Sequence, residues 1–346
     1  MSRLDDRDDG SILVIGAGVV GASIAYHLAR AGLRVTVLER HCAAGGVTGN
    51  SLAWVGLAKS SAEAYSDPFR RGAAEEFGRL QRDLAMPFGM RRGGAITWEK
   101  TDAATREFYN AHRLLGHPLE LLSAEEVLAR EPRLRKIPTI AAYASDDAGV
   151  DPAAFVMALL RRAQEHGAVV HSGHSVLSLL TEGTRVSGVA TPYGPVYGST
   201  TVLAAGAAIP ELAASAGLVA EIESSPCCLI RCSTPHPLVN GILSTPDLEL
   251  RQLDDTTLIA AEDVPLGFGG DARELAEPTL NAIRQQLSGG ERVELISAVV
   301  AGRPVPRGGR PLLGKPEGVS GLYLAAAHPA IILAGAVGAR VARDLA

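Results

Sequence analysis

Apolar positions along this chain switch between two rhythms. Ile12, Leu13, Val14 and Ile15 are continuously apolar, the mark of a strand buried on both faces. A glycine turn follows over Gly16–Gly21. From Ala22 to Ala31 the rhythm is helical, with Ile24, Ala25, Leu28 and Ala29 on one side. Gly32 then supplies a residue that tolerates a left-handed C-cap. Arg34–Glu39 returns to an apolar strand through Val35, Val37 and Leu38 and ends in a carboxylate. This order predicts a right-handed βαβ unit on a parallel sheet.

Further along, Asp151–His166 is strongly amphipathic, with Asp151 as N-cap and Pro152 in the first turn. Gly167–Val170 starts another strand. Ser175–Leu180, Arg185–Thr191 and Val196–Tyr197 predict a meander with turns at Glu182–Gly183 and Tyr193–Gly194. Thr200–Ala205 is a buried strand running into Gly206. Leu229–Glu262 alternates short strand-like runs with Pro- and Asp-containing turns, and Pro278–Leu287 is helical. The chain closes on a strand, Gly321–Ala325, and a helix, Ile331–Leu345. Residues 87–144 and 216–302 are richer in Pro, Arg and alternating strands than the rest. The expected fold is therefore α/β with two domains. A discontinuous nucleotide domain takes residues 10–86, 145–215 and 303–346, and a substrate domain of 87–144 and 216–302 is inserted into it.

Composition narrows the function. The chain has 346 residues, 47% hydrophobic and 21% charged, with a net charge of −5. That balance suits a globular protein, and no basic run advertises a nucleic-acid partner. No apolar run reaches the roughly 18 residues needed to span a bilayer. The acidic, polar stretch Met1–Gly10 does not read as a secretory signal, so a cytoplasmic location is expected. The four cysteines, Cys42, Cys227, Cys228 and Cys232, are expected to be free thiols. Neither they nor His171, His174 and His236 show metal-ligand spacing, so no metal is expected.

The chemistry starts at Gly16-Ala17-Gly18-Val19-Val20-Gly21, which fits G-x-G-x-x-G. The first glycine allows the sharp turn, the second lets a pyrophosphate approach the backbone, and the third lets helix and sheet pack closely. The helix N-terminus at Val19 and Val20 offers free N–H groups to a diphosphate. Glu39 lies 18 residues after Gly21 at the end of the next strand, where a carboxylate accepts from ribose hydroxyls. Arg40 follows it. The same carboxylate would repel a 2′-phosphate, which disfavours NADP. The motif alone leaves NAD and FAD open.

The loop His41-Cys42-Ala43-Ala44-Gly45-Gly46-Val47-Thr48-Gly49-Asn50-Ser51 is built of small residues and hydroxyls that can lie flat along a cofactor. It resembles the FAD-wrapping segment of the D-amino-acid oxidase superfamily, which includes glycine oxidase, sarcosine oxidase and D-amino-acid dehydrogenases. Val176 matches the strand whose backbone contacts adenine there. Thr201–Ala207, with Ala205 and Gly206 at its turn, is similar to the strand under the cofactor. Gly302–Pro306, Pro311–Gly314 and Gly321–His328 resemble the segment that returns to the flavin. The resemblance covers essentially the whole chain. It implies a Rossmann-like FAD-binding domain with an inserted, mainly antiparallel β-sheet substrate domain. It also implies FAD held non-covalently by Gly46, Thr48, Asn50 and Ser51 and by the backbone of Ala330, Ile331, Ile332 and Leu333. One departure is that Pro329-Ala330-Ile331-Ile332 follows His328 where the family commonly shows further glycines.

The implied reaction is oxidation of the C–N bond of an amino acid or secondary amine by hydride transfer to flavin N5, giving an imine, with oxygen or another electron acceptor taking the electrons. A substrate carboxylate needs a cationic fork. Arg303 occupies the family position for it, and Arg251 in Glu249-Leu250-Arg251-Gln252 is the second candidate. Both also admit a plain reading as exposed charges. His328 stands between two readings, a group at the flavin edge and a satisfied structural residue. Lys59 is a further, weaker candidate for oxygen activation. A homo- or hetero-oligomer fits, and one alternative is a flavoprotein subunit of a hetero-oligomeric amine dehydrogenase. Another is a NAD-dependent dehydrogenase.

Overall fold

The structure is a computed structural model that describes residues 10–56 and 67–346. Lys59 lies outside the described residues. Two sheets organise the chain. The first has six strands in the order β18 (Leu312–Gly314), β19 (Leu322–Ala326), β12 (Thr200–Leu203), β1 (Ile12–Ile15), β2 (Val35–Leu38) and β8 (Val169–His171). Every pairing from β19 to β8 is parallel, and only the edge strand β18 is antiparallel.

The unbroken apolar run of β1 is explained by burial on both faces. Ile12 and Val14 join a core made with α1 (Val19–Arg30), α5 (Pro152–Glu165) and α8 (Ala330–Leu345). Leu13 and Ile15 face the opposite way. There they pack under an antiparallel meander of β9 (Ser178–Glu182), β10 (Arg185–Thr191) and β11 (Gly194–Tyr197), and under the short α6 (Ile209–Ala214). Asp151 caps α5 by accepting from the N–H groups of Ala153 and Ala154 at 2.9 and 3.0 Å.

The second sheet has eight strands: β17 (Glu294–Pro306), β13 (Ile222–Ser233), β16 (Thr257–Asp263), β15 (Glu249–Gln252), β14 (Ile242–Ser244), β4 (Ala95–Thr97), β6 (Ile140–Ala144) and β5 (Glu120–Ser123). All its pairings are antiparallel except β14 with β4. Alternation decides its faces. Cys228, Ile230 and Cys232 of β13 join the core under α7 (Ala272–Gln286). Leu229 points the other way, with Ile259 and Ile242. In a two-stranded pair, β3 (Trp54–Val55) with β7 (Ala148–Gly149), Val55 and Ala148 join the core of the first sheet, while Trp54 packs against the cluster of Leu229, Ile242 and Ile259.

Three helices went unpredicted: α2 (Pro68–Leu84), α3 (Asp102–Leu114) and α4 (Ala124–Arg130). Helix α7 starts at Ala272, six residues before the predicted start, with Asp271 as its cap and Pro278 inside it. Strand β17 runs on to Pro306. It therefore crosses the expected boundary at residue 302, and Arg303 belongs to the eight-stranded sheet.

Candidate active site

A cavity of about 1700 Å³ opens at the carboxyl ends of β1, β2 and β12, where the strand order changes direction. Two helix N-termini reach it, α1 through Val19 and Val20 and α8 through Ala330 and Ile331. Neither helix has a side-chain cap or an acid in its first turn. Apart from the Val19 N–H, which donates to Thr48, the first N–H groups of these helices are left for an anionic or carbonyl-bearing ligand.

The turn into α1 admits only glycine at its closest points. Gly16 has φ +103°, and a Cβ there would lie 2.7 Å from the Ala204 carbonyl oxygen; at Gly21 it would lie 1.9 Å from the Gly16 carbonyl oxygen. Glu39 lines the cavity at the end of β2. Its carboxylate accepts from the N–H of Ala17 at 2.8 Å and of His41 at 2.9 Å. This leaves lone pairs for sugar hydroxyls. Thr48 Oγ1 accepts from the N–H of Val19 at 3.1 Å, which seats the small-residue loop on the helix start. Gly18, Arg40, Gly46, Ser51, Val176, Ala205 and Gly206 also line the cavity. A cavity of this size lined by a carboxylate and two helix N-termini fits an adenine dinucleotide.

A further wall of the cavity comes from the eight-stranded sheet. Cross-strand register puts Arg303, Cys227, Asp263, Ala261 and Glu249 on one face, and all five line the cavity. Arg303 donates from Nη2 to Asp263 Oδ1 at 2.7 Å and to Ser225 Oγ at 3.0 Å. Its side chain is 30% exposed, whereas that of Asp263 is 85% exposed. The carboxylate is thus a solvated rim partner, and such pairs are weak. Burial pushes the Cys227 thiol up, with Arg303 opposing.

His328 lines the cavity at the junction of β19 and α8. Burial, then the charges of Arg303 and Arg70, lower its pKa to about 4, so the imidazole is neutral at neutral pH. Arg70, in the first turn of α2, was not anticipated. It is 8% exposed and lines the cavity. Its Nη2 donates to the carbonyls of Gly309 and His328 at 2.6 and 2.9 Å. A signal existed: Asp67-Pro68 repeats the cap-and-proline start read correctly at Asp151-Pro152, and Asp67 caps α2 by accepting from Phe69 N–H.

Five expected site residues stand elsewhere. Arg251 is no substrate fork: it is 2% exposed, and its guanidinium is consumed by backbone carbonyls of Leu52, Val150 and Gln252. Gly21 packs the turn rather than lining the cavity. Asn50 turns its amide to the Gly46 carbonyl at 3.1 Å. Ile332 and Leu333 are 1% and 0% exposed in the core behind the α8 terminus. A helix aims only its first N–H groups outward, and its next residues turn into the packing. Among the described residues no cluster of three metal-ligating side chains occurs, and no helix is long and apolar enough to cross a membrane.

Comparison with known proteins places this geometry. Residues 11–343 match the family model described as FAD dependent oxidoreductase. The chain is 27% identical over 399 residues to a D-amino acid dehydrogenase of Cereibacter sphaeroides, covering 96% of this chain and 91% of that one. It is 30% identical over 187 residues to one subunit of the anaerobic glycerol-3-phosphate dehydrogenase of Escherichia coli, covering 53% of this chain and only 34% of that one. Glycine oxidase from Geobacillus kaustophilus superposes with a TM-score of 0.84 at 23% identity, covering 97% of this chain and 95% of that chain. Iminodiacetate oxidase from Chelativorans sp. BNC1 gives 0.84 at 22% identity, covering 96% and 95%. These two share the fold. The dinucleotide is therefore FAD, the NAD reading is set aside, and the chain belongs to the FAD-dependent oxidoreductase family.

Proposed function

We propose that this protein oxidises the C–N bond of an amino acid or secondary amine to an imine. The observation that carries the reading is Arg303, on the sheet face that lines the same cavity as the two helix termini. FAD, when bound, supplies a hydride acceptor at N5. The residues of the chain then have separate tasks. Arg303 holds a substrate carboxylate by exchanging its exposed partner Asp263 for the ligand, since a guanidinium fork matches a carboxylate bidentately. The neutral His328 offers a hydrogen-bonding ring without adding a third positive charge beside Arg303 and Arg70. The α8 terminus favours negative charge on whatever it faces. Ala261 and Cys227 keep the wall small between Arg303 and Glu249. Electrons leave to oxygen or another acceptor.

Anaerobic mixing with a panel of amino acids and N-methylated amines tests this. The flavin absorbance bleaches with at least one carboxylate-bearing amine. A panel that never reduces the flavin overturns the reading. Arg303→Ala raises KM for a carboxylate substrate about 10- to 100-fold, the worth of a hydrogen bond to a charged group. An unchanged KM removes Arg303 from the site.

A further inference from the structure

We propose that Arg231 and Arg251 are positioning residues that clamp the cofactor loop onto the substrate sheet, so that FAD affinity depends on two arginines that do not line the cavity. The geometry starts from register. Arg231 on β13 lies opposite Ile259 on β16, and Ile259 lies opposite Arg251 on β15. Both arginines therefore project from the sheet face that carries Cys227, Ala261 and Glu249, but farther from the cavity. They reach the loop that follows β2. Arg231 Nη2 donates to the Gly49 carbonyl at 2.7 Å. Arg251 Nε donates to the Leu52 carbonyl at 2.5 Å, and its Nη2 donates to the Val150 carbonyl.

The loop needs such a hold. Among residues 44–53 it has no regular structure, and it is bounded by Ala44 and Ala53 with φ +59° and +52°. A left-handed conformation is unfavourable for alanine and persists only where the surroundings impose it. The first half, Gly45 to Thr48, lines the cavity and is seated on α1 by Thr48. The second half is held at Gly49 and Leu52 by the two arginines. Leu52 itself lines the cavity. The place of the loop against the cofactor is thus set from both sides.

A purely structural filler would not be an arginine. Burying a guanidinium, as at Arg251, costs several kcal/mol, and an apolar side chain of similar volume fills the same space without that cost; Arg231 is half-buried. Among the described residues neither Arg231 nor Arg251 makes an ion pair, although the charge of Asp151 bears on Arg251. Their bonds go to carbonyls alone. The backbone leaves room for this: a Cβ on Gly149 would lie 2.5 to 2.7 Å from Cδ, Nε and Cζ of Arg251. What the cations add is directional bonding to a loop that has no ladder of its own. Without it, FAD binding must also order the loop, and apparent affinity falls by the fraction of molecules with the loop in place.

The test uses the full chain stripped of FAD and titrated with FAD, read by flavin fluorescence quenching and by visible circular dichroism of the bound flavin. It needs no substrate, so its outcome is separate from that of the amine-oxidation reading. Arg231→Met and Arg251→Met each raise the FAD Kd about tenfold or more, the worth of a lost charge-assisted bond, and change the visible dichroism. Arg231→Lys restores most of the affinity, because it makes one bond. Arg251→Lys does not, because a single ammonium cannot span Leu52 and Val150. Thermal unfolding of the apo-proteins separates a plain stability defect. If the Met variants fold with wild-type Kd and dichroism, or lose affinity only in proportion to lost apo-protein stability, the proposal is overturned. Should Arg251→Met fail to fold, Arg231→Met carries the test alone, since its single bond leaves the buried fork intact.

Discussion

Arg303 and Asp263 form a pair in which the proposed substrate fork is partly buried and its partner is exposed. Asp263→Asn is expected to leave KM for a carboxylate-bearing amine unchanged or lowered, because it removes a competitor for the fork; steady-state kinetics at low ionic strength check this. A marked rise in KM would mean that Asp263 orients the arginine. Histidines give a pH dependence. His117 is 5% exposed with its Nδ1 3.0 Å from Nδ1 of His112, and burial and that neighbour lower its pKa from 6.5 to about 4. Between those two values the unfolded chain takes up a proton that the folded one refuses. Stability is therefore lost as pH falls from about 6.5 toward 4 and levels off below. His328 acts in the same window and direction. Urea midpoints measured across this range should fall, and less so in His117→Gln. At this scale the sequence showed which side chains could do chemistry. It could not separate Arg303 from Arg251, because both are arginines on strands and only burial and register tell a cavity wall from a clamp.

Elements were legible where local rules agree. Asp151 and Pro152 marked the start of α5, and Asp151→Ala should cost about 1 kcal/mol of unfolding free energy for the lost cap, read by urea titration of the apo-protein. The glycine turn into α1 was equally plain, and Gly21→Ala should abolish FAD binding, since a Cβ 1.9 Å from a carbonyl oxygen forces α1 away from the sheet. Retained FAD absorbance after gel filtration would contradict this. Helix α2 was missed although it carries the same start signal. Its buried positions, Arg70, Ala73, Phe77, Leu80 and Leu84, form a narrow stripe that includes a charge, and packing against α8 rather than local pattern sustains it. In α7 the local pattern puts the helix start at Pro278, but the cap at Asp271 and the buried Ala276, Leu280 and Ile283 outweigh the bond that Pro278 removes.

For the whole molecule, a cavity bounded by two sheets means that ligand and fold stabilise each other. A ligand that binds only the folded state adds RT ln(1 + [L]/Kd), about 2.7 kcal/mol at 100 times Kd. Thermal unfolding of this protein should accordingly rise with added FAD and not with added NAD; equal shifts would contradict the cofactor assignment. What the sequence determined by itself is the cofactor, FAD, and the local frame proposed to hold it. Gly16, Gly18, Gly21, Glu39 and the loop at Thr48 act through turn conformation, helix termini and close approach, all properties of short segments. What only the tertiary structure decided is the wall facing that frame. Cys227, Glu249, Asp263 and Arg303 come from four strands spread over residues 222–306 and meet through cross-strand register. Arg70 joins them from a helix far earlier in the chain. Register and helix docking depend on long-range packing, so no local pattern in the chain could carry them.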